Sequence, residues 1–347
     1  MTAFHPIAAL AALTILAGLI GLALAQDARP TTRPSGPRTG DDTSRVNESR
    51  PPDTQIVYKK TPQAELKLFA YLPAGWRKSD QRPAIVFFFG GGWRQGTPQQ
   101  FYSKAEYFAS RGLVAFCADY RVKSRQSTNI DSAVEDARSA MRFVRKNAAD
   151  WGVDPKRLIS SGGSSGGHLA ACVGTLDGPD AKDDDLTVSC RPQAMVLFNP
   201  VLDLSDVGEG KKVPAFVLEL VSGDTPADKL KSLKAVSPIE GLRKDCPPCI
   251  VFFGTRDALM DQALGFIRKS IELGNRIELW TAAGQPHGFF NGRPWHQATV
   301  IKADEFLAGL GFLKGGPTMK PASDTAVLKK ALPAPATGAA PAETPAK

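Results

Sequence analysis

The stretch Arg157–Ala170 reads RLISSGGSSGGHLA, and it decides how the rest of the sequence is interpreted. Its first residues form a short run typical of a strand that is buried on both faces of a sheet. Four glycines then surround two adjacent serines, and an apolar stretch typical of a helix follows them. Because glycine tolerates tight turns that other residues do not, the stretch predicts a strand, a sharp turn and a helix.

On both sides of this stretch, short apolar runs alternate with amphipathic ones. The alternation predicts an α/β fold with a mostly parallel central sheet and helices on both faces. Residues 65–71 are predicted to add an antiparallel edge strand, and the polar residues 203–241 to form a small cap. The predicted strands are residues 84–89, 113–119, 157–161, 194–198, 250–253 and 277–280, and the predicted helices are residues 130–146, 261–273, 298–310 and one that begins just after the serines.

The two ends of the 347-residue chain differ in composition from the middle. Residues 1–25 contain an apolar run that ends in Ala-Leu-Ala, which is typical of a secretory signal peptide, although no Lys or Arg precedes the run. We therefore expect export to the periplasm or the medium, with an uncleaved N-terminal membrane anchor as the alternative. Residues 26–53 and 315–347 are rich in Pro and in polar or small residues and are predicted to be disordered, which leaves 54–314 as one globular domain.

The charged residues and the cysteines narrow the classes of function. The net charge of +8 comes from scattered Lys and Arg without a nucleic-acid-binding motif, so we expect no nucleic-acid partner. The five cysteines include two candidate disulfides for an oxidising compartment, Cys172 with Cys190 and Cys246 with Cys249. The second pair precedes an apolar strand, whereas a thioredoxin-type redox motif opens a helix, so a redox site is not favoured.

The pattern G-x-S-x-G fits the decisive stretch in two registers. Residues 162–166 centre it on Ser164, and residues 163–167 centre it on Ser165. Such a nucleophile elbow needs small residues two before and two after its serine, because the sharp turn leaves no room for side chains, and both registers meet this need. The stretch resembles the elbow of bacterial carboxylesterases, in which Gly-Gly-His-Leu-Ala follows the serine and one small residue. This resemblance implies that Ser164 is the nucleophile and that the Ser165 N–H is one oxyanion donor.

A second glycine-rich loop, Gly90-Gly91-Gly92, directly follows the predicted strand 84–89. Backbone N–H groups in such a loop can come close to a substrate oxygen. The loop resembles the His-Gly-Gly-Gly loop of the hormone-sensitive-lipase-like and the feruloyl or acetyl esterase families, which implies Gly91 and Gly92 as oxyanion donors. Phe89 stands where those families usually have His, so we expect packing to hold this loop.

Two further candidate residues follow later predicted strands. Asp257 comes after an apolar strand and a Gly-Thr turn, and we predict that it is the acid of a catalytic triad. Asp261 is better explained as a helix-initiating carboxylate. His287 lies in a loop after the last predicted strand and is the predicted general base. The order Ser, Asp, His is that of α/β-hydrolases, and the resemblance to them covers nearly all of residues 55–313.

The resemblance implies a serine carboxylesterase of the α/β-hydrolase fold that acts through an acyl-enzyme without a metal or organic cofactor. Short-chain acyl esters, with acetyl or feruloyl esters of carbohydrates among them, are the expected substrates, and a membrane is an expected partner only if the N-terminal segment is retained. Trp93, Phe101 and Phe289 are expected to shape the substrate pocket.

Two other functions remain open at this point. An exported serine peptidase of the prolyl-oligopeptidase type would share the order of the triad, and it would hydrolyse aminoacyl arylamides. A non-catalytic binding protein on a hydrolase scaffold would bind its ligand without turnover.

Overall fold

The computed structural model describes residues 49–205 and 213–331. The predicted signal peptide, most of the predicted linker and the end of the predicted tail lie outside these residues. Within the described ranges, no helix is both long enough and apolar enough to cross a membrane.

The described chain folds around a sheet of nine strands in the order β1-β2-β4-β3-β5-β6-β7-β8-β9. The strands β3 to β8 run parallel to one another, whereas the pairs β1–β2, β2–β4 and β8–β9 are antiparallel. The predicted α/β fold with a mostly parallel sheet is thereby confirmed. The strands are β1 Thr54–Lys60, β2 Glu65–Tyr71, β3 Arg82–Phe88, β4 Val114–Ala118, β5 Val153–Gly163, β6 Ala194–Phe198, β7 Cys249–Gly254, β8 Ile277–Ala282 and β9 Leu328–Ala331.

Helices connect these strands. The helix α3 has the predicted bounds, because its apolar stripe and the charges opposite mark both ends in the sequence. The helix α4 begins at the second serine of the elbow, and α1 was not predicted. The helices are α1 Tyr102–Ser110, α2 Lys123–Gln126, α3 Ile130–Lys146, α4 Ser165–Thr175, α5 Ala215–Leu218, α6 Pro226–Ala235, α7 Met260–Glu272 and α8 Trp295–Gly309.

Two strands at the ends of the sheet differ from the sequence prediction. The strand β2 is not an edge strand, because β1 pairs with it on its outer side. The strand β9 lies within the segment that was predicted to be disordered from residue 315 onward, and it pairs with β8. The added strands β1 and β9 each contain two lysines and lack a continuous apolar run, so their attachment depends on backbone hydrogen bonds that a hydrophobic pattern does not reveal.

The centre of the sheet is closed to solvent on both faces. Every residue of β4, β6 and β7 is buried, as the continuous apolar runs in the sequence predict. All five cysteines are buried and unpaired, so neither candidate disulfide is formed. Three of them lie in the strands β4 and β7 or in the helix α4, where they pack as small apolar side chains.

The described part of residues 203–241, which we call the cap segment, connects β6 to β7 and contains α5 and α6. It is tied to α3 by a hydrogen bond from the Ile130 N–H to the Leu220 carbonyl, 2.8 Å long. The Ser222 hydroxyl also donates to Asp131 at 3.0 Å. The cap segment is therefore anchored to the helical layer beside the carboxyl ends of the strands.

Candidate active site

The turn between β5 and α4 has the geometry of a nucleophile elbow. Ser164 has φ 55° and ψ −121°, a conformation that side-chain-bearing residues rarely adopt. Its N–H donates to the Phe198 carbonyl at 2.9 Å. A Cβ atom on Gly162 would lie 2.3 Å from the Gly166 carbonyl oxygen, and one on Gly166 would lie 2.0 Å from the Phe88 carbonyl oxygen. The glycines are therefore required by the close approach of three backbone segments.

The structure brings Ser164, His287 and Asp257 together. The Ser164 Oγ lies 2.9 Å from His287 Nε2, and His287 Nδ1 lies 2.8 Å from Asp257 Oδ2. Because the carboxylate accepts from Nδ1, the ring nitrogen Nε2 is left to accept the serine proton. Ser165, the alternative nucleophile, is only 1% exposed and is the first residue of α4.

Asp257 is held by two donors besides His287. Its Oδ1 accepts from the Leu259 N–H at 2.9 Å, and its Oδ2 accepts from the Asn199 side-chain amide. The Asp257 side chain is 1% exposed, whereas the His287 side chain is 41% exposed. Asn199 was not predicted as a site residue. Its only signal in the sequence is a polar side chain directly after the apolar strand β6.

The predicted oxyanion donors surround the elbow. Gly92 and Ser165 line the same pocket as Ser164, and Gly91 lines a neighbouring polar cavity. Gly91 and Gly92 have φ values of 135° and 64°, which favour glycine. As the first residue of α4, Ser165 has an N–H without a carbonyl one turn before it, so this N–H is available to a ligand.

Phe89 is held by packing and by a hydrogen bond to its backbone. Its ring stacks on Tyr120 with ring centroids 4.0 Å apart, and the Tyr120 hydroxyl donates to the Phe89 carbonyl at 2.7 Å. The Tyr120 hydroxyl therefore fixes the backbone at the start of the glycine loop. A His at position 89 would act from the end of β3, whereas Tyr120 acts from the end of β4.

The pocket beside Ser164 has a volume of about 540 Å³. One wall consists of Ser164 and the residues around it, and the other is largely apolar and comes from the cap segment. Trp93 lines the pocket as predicted, but Phe101 and Phe289 do not. The apolar lining residues include Val201, Leu204, Val213, Pro214, Phe216 and Leu259.

Phe101 and Phe289 lie in the core instead, which corrects their predicted role. Phe101 stacks on Phe87 with centroids 5.2 Å apart and is 1% exposed. Phe289 packs edge-on against Trp295 at 5.7 Å. Aromatic side chains near a catalytic loop contribute to both cores and pockets, and the sequence does not distinguish the two.

A buried histidine connects Trp93, which lines the pocket, to Val236 of the cap segment. Trp93 Nε1 donates to His168 Nδ1 at 3.2 Å, and His168 Nε2 donates to the Val236 carbonyl at 2.7 Å. Burial lowers the pKa of the His168 imidazole to about 4, so the ring is neutral and has one donor and one acceptor. The sequence indicates only that His168 lies in the helix after the elbow, because neither of its hydrogen-bond partners is near it in the chain.

Comparison with known proteins gives a consistent result. Residues 68–267 match the family BD-FAE. The isoprenylcysteine α-carbonyl methylesterase of Arabidopsis thaliana is 36% identical over 67% of this chain and 55% of the relative. A probable carboxylic ester hydrolase of Mycobacterium tuberculosis is 28% identical over 67% of this chain and 57% of the relative. The chain thus spans little more than half the length of these two curated relatives.

The solved structures of an esterase from Thermogutta terrifontis, esterase 2, are similar over nearly their whole length. The apo form is 44% identical, with a TM-score of 0.71 over 78% of this chain and 99% of that chain. A form phosphonylated by sarin is 43% identical, with a TM-score of 0.70 over 76% and 96% of the two chains. Other forms of that esterase have propionate or butyrate bound.

Proposed function

The chain belongs to the BD-FAE family, and on this premise we propose that it is a serine carboxylesterase with the triad Ser164, His287 and Asp257. The single observation that carries the proposal is the 2.9 Å approach of His287 Nε2 to the hydroxyl of a serine in an elbow conformation. Nucleophile and base lie within hydrogen-bond reach, and a buried carboxylate orients the base. This arrangement suits acyl transfer.

In the proposed mechanism, Ser164 Oγ attacks the ester carbonyl while its proton passes to His287 Nε2. Asp257 keeps the imidazole in the required tautomer and stabilises the imidazolium that forms. The N–H groups of Gly92 and Ser165, with Gly91 beside them, stabilise the oxyanion, and each such donor contributes roughly 3 kcal/mol in serine hydrolases. The imidazolium then protonates the leaving alcohol, and a water molecule, deprotonated by His287, releases the acid.

The proposed substrates are esters of short acyl groups, with acetyl and feruloyl esters of carbohydrates among them. The apolar wall of the cap segment supports an apolar group in the pocket. The propionate and butyrate bound to the esterase of Thermogutta terrifontis support a short acyl chain. The substrate is therefore a small ester whose acyl part is apolar.

The experiment that tests the nucleophile is labelling with a fluorophosphonate probe, followed by fragment mass spectrometry. We expect a single adduct on Ser164, no labelling of Ser164→Ala and normal labelling of Ser165→Ala, because Ser165 contributes only its backbone N–H. The adjacent serine is thus a matched control. An adduct on Ser165 would overturn the assignment, and a folded protein that neither reacts nor hydrolyses esters would be a binding protein.

A substrate series tests the proposed activity. We expect faster hydrolysis of p-nitrophenyl acetate and butyrate than of the octanoate ester, and methyl ferulate tests the feruloyl group. An aminoacyl arylamide serves as the control, because its hydrolysis in preference to the esters would indicate a peptidase.

A further inference from the structure

Three hydrogen bonds connect the glycine loop to the loop that carries His287. The Gly90 N–H donates to Gln100 Oε1 at 2.6 Å, and Gln100 Nε2 donates to Asn291 Oδ1 at 3.1 Å. Asn291 Nδ2 donates to the Gly288 carbonyl at 2.9 Å. Gly288 follows His287 directly. Two side-chain amides therefore span two loops that are far apart in the sequence.

Each amide is oriented without ambiguity. The Gly90 N–H can only donate, so the oxygen of Gln100 must face it and the nitrogen must face Asn291. The oxygen of Asn291 then accepts, which leaves its nitrogen to face the Gly288 carbonyl. A single arrangement of the two amides satisfies all three bonds, so turning either amide over would break two of them.

The backbone at Gly90 also touches the nucleophile. A Cβ atom on Gly90 would lie 2.9 Å from the Gly163 carbonyl oxygen and 3.3 Å from Ser164 Cβ. Gly90 precedes the proposed oxyanion donors, so its position governs their distance from Ser164. Phe89 has no polar side-chain atom with which to hold this loop, and the anchor for the Gly90 N–H comes from Gln100 instead.

Gln100 and Asn291 lie outside the substrate pocket. Together with Ser103, Lys104 and His296, they line the neighbouring polar cavity that Gly91 also lines, which has a volume of about 380 Å³. Neither is among the residues that line the pocket of Ser164. A change in either side chain should therefore alter the alignment of the two loops more than the binding of a substrate.

We propose that Gln100 and Asn291 are positioning residues that hold the oxyanion donors and His287 at a fixed distance from each other. The proposal rests on the proposed esterase function. It predicts that the two amides act as one unit, because the loss of either side chain interrupts the hydrogen bonds between the two loops.

The test is a double-mutant cycle of Gln100→Leu, Asn291→Leu and the double variant, with p-nitrophenyl butyrate as the substrate. We expect each single variant to lower kcat roughly tenfold with KM changed less than about twofold, since small displacements of catalytic groups cost rate. The double variant should be no slower than the slower single variant, because coupled residues are not additive. The milder variant Gln100→Glu, which keeps the acceptor for Gly90, should lose less activity than Gln100→Leu.

Ser103→Ala is the matched control, because Ser103 lines the same cavity and its hydroxyl lies 3.0 Å from His296 Nε2, outside the connection. Its kcat should stay near that of the unchanged protein. Additive losses, an unchanged kcat in both single variants or an equal loss in Ser103→Ala would overturn the positioning role. If the unchanged protein neither hydrolyses the ester nor reacts with a fluorophosphonate, the proposed function fails, and the positioning role fails with it.

Discussion

The two walls of the Ser164 pocket are built in different ways. The sheet-side wall is built around Ser164, and Asp257 and Asn199 lie behind it near the carboxyl ends of neighbouring strands. Buried hydrogen bonds hold each of these three residues. The cap-side wall presents apolar side chains such as Val213 and Phe216, and Phe216 is 39% exposed. We infer that the sheet-side wall determines the rate for every substrate, whereas the cap-side wall determines which substrates fit.

The largest expected effect is on the sheet-side wall. Asp257→Asn should lower kcat by about 10⁴-fold, because the amide favours the wrong tautomer of His287. Asp261→Asn is the control, since Asp261 lines the same pocket but lies at the start of α7. Steady-state kinetics with several p-nitrophenyl esters should show the same loss for each ester. A loss that depends on the acyl group would contradict the division between the walls.

A smaller effect is expected where the walls are joined. His168→Leu should reduce the free energy of unfolding by about 2 kcal/mol, because the Trp93 indole N–H and the Val236 carbonyl both lose a buried partner. Urea unfolding measures this change. The control is His168→Gln, which can restore one of the two hydrogen bonds. Equal stabilities of the Leu variant and the unchanged protein would mean that the walls are held together elsewhere.

A buried lysine packs beneath the sheet-side wall. Its burial makes the free energy of unfolding depend on pH. Lys104 is 1% exposed, donates to the Phe290 carbonyl at 3.1 Å and lies over the rings of Phe198 and Phe290. Burial lowers the pKa of the Lys104 ammonium from 10.5 to about 7. Between these two values the unfolded chain keeps a proton that the folded chain has released, so stability rises with pH.

Lys104→Met should therefore raise the free energy of unfolding by about 1 kcal/mol or more at pH 6, where both states of the unchanged protein carry the charge. The gain should shrink toward pH 10. Urea unfolding at the two pH values measures it, and Lys302→Met, at a partly exposed lysine, is the control. A gain that does not change with pH would show that the ammonium is well compensated by the aromatic rings.

The smallest expected effect is on the cap-side wall. Phe216→Ala should change the ratio of kcat/KM for butyrate and acetate esters by a few-fold, since a methylene group in an apolar pocket contributes about 1–3 kcal/mol. The rate with acetate should stay within about twofold. Leu186→Ala removes a comparably apolar side chain that is 64% exposed and outside the pocket, so it should change nothing. An equal loss of kcat/KM with both esters in Phe216→Ala would contradict the inference that the cap-side wall acts only on the choice of substrate.

The sequence predicted the centre of the sheet well because buried parallel strands are continuous apolar runs. The end strands β1 and β9 lack such runs, and the helix α1 was missed. For the site, chain order and loop position were sufficient to select Asp257 and His287. The pattern of small residues fitted Ser164 and Ser165 equally, and the backbone conformation of the elbow distinguishes them.

The residues that the sequence did not reveal share a physical feature. Asn199, His168, Gln100 and Asn291 all act through partners that are distant in the chain, with hydrogen bonds that exist only after folding. Asn, His and Gln are common in loops and helices, so the residue type alone does not mark these positions as parts of the site. For Phe101 and Phe289 the prediction was wrong for the opposite reason. They lie close to site residues in the sequence, but folding places them in the core and not in the pocket.

The short strand β9 covers the edge of β8, and we infer that it limits self-association. Without it, β8 would present a row of unpaired N–H and C=O groups, a template onto which a strand of another chain could add. Of the four residues of β9, two are lysines, and charged side chains on an edge strand discourage a further strand from joining. A protein shortened at residue 314 would lose this shield, and we expect it to aggregate edge to edge while its catalytic residues remain intact.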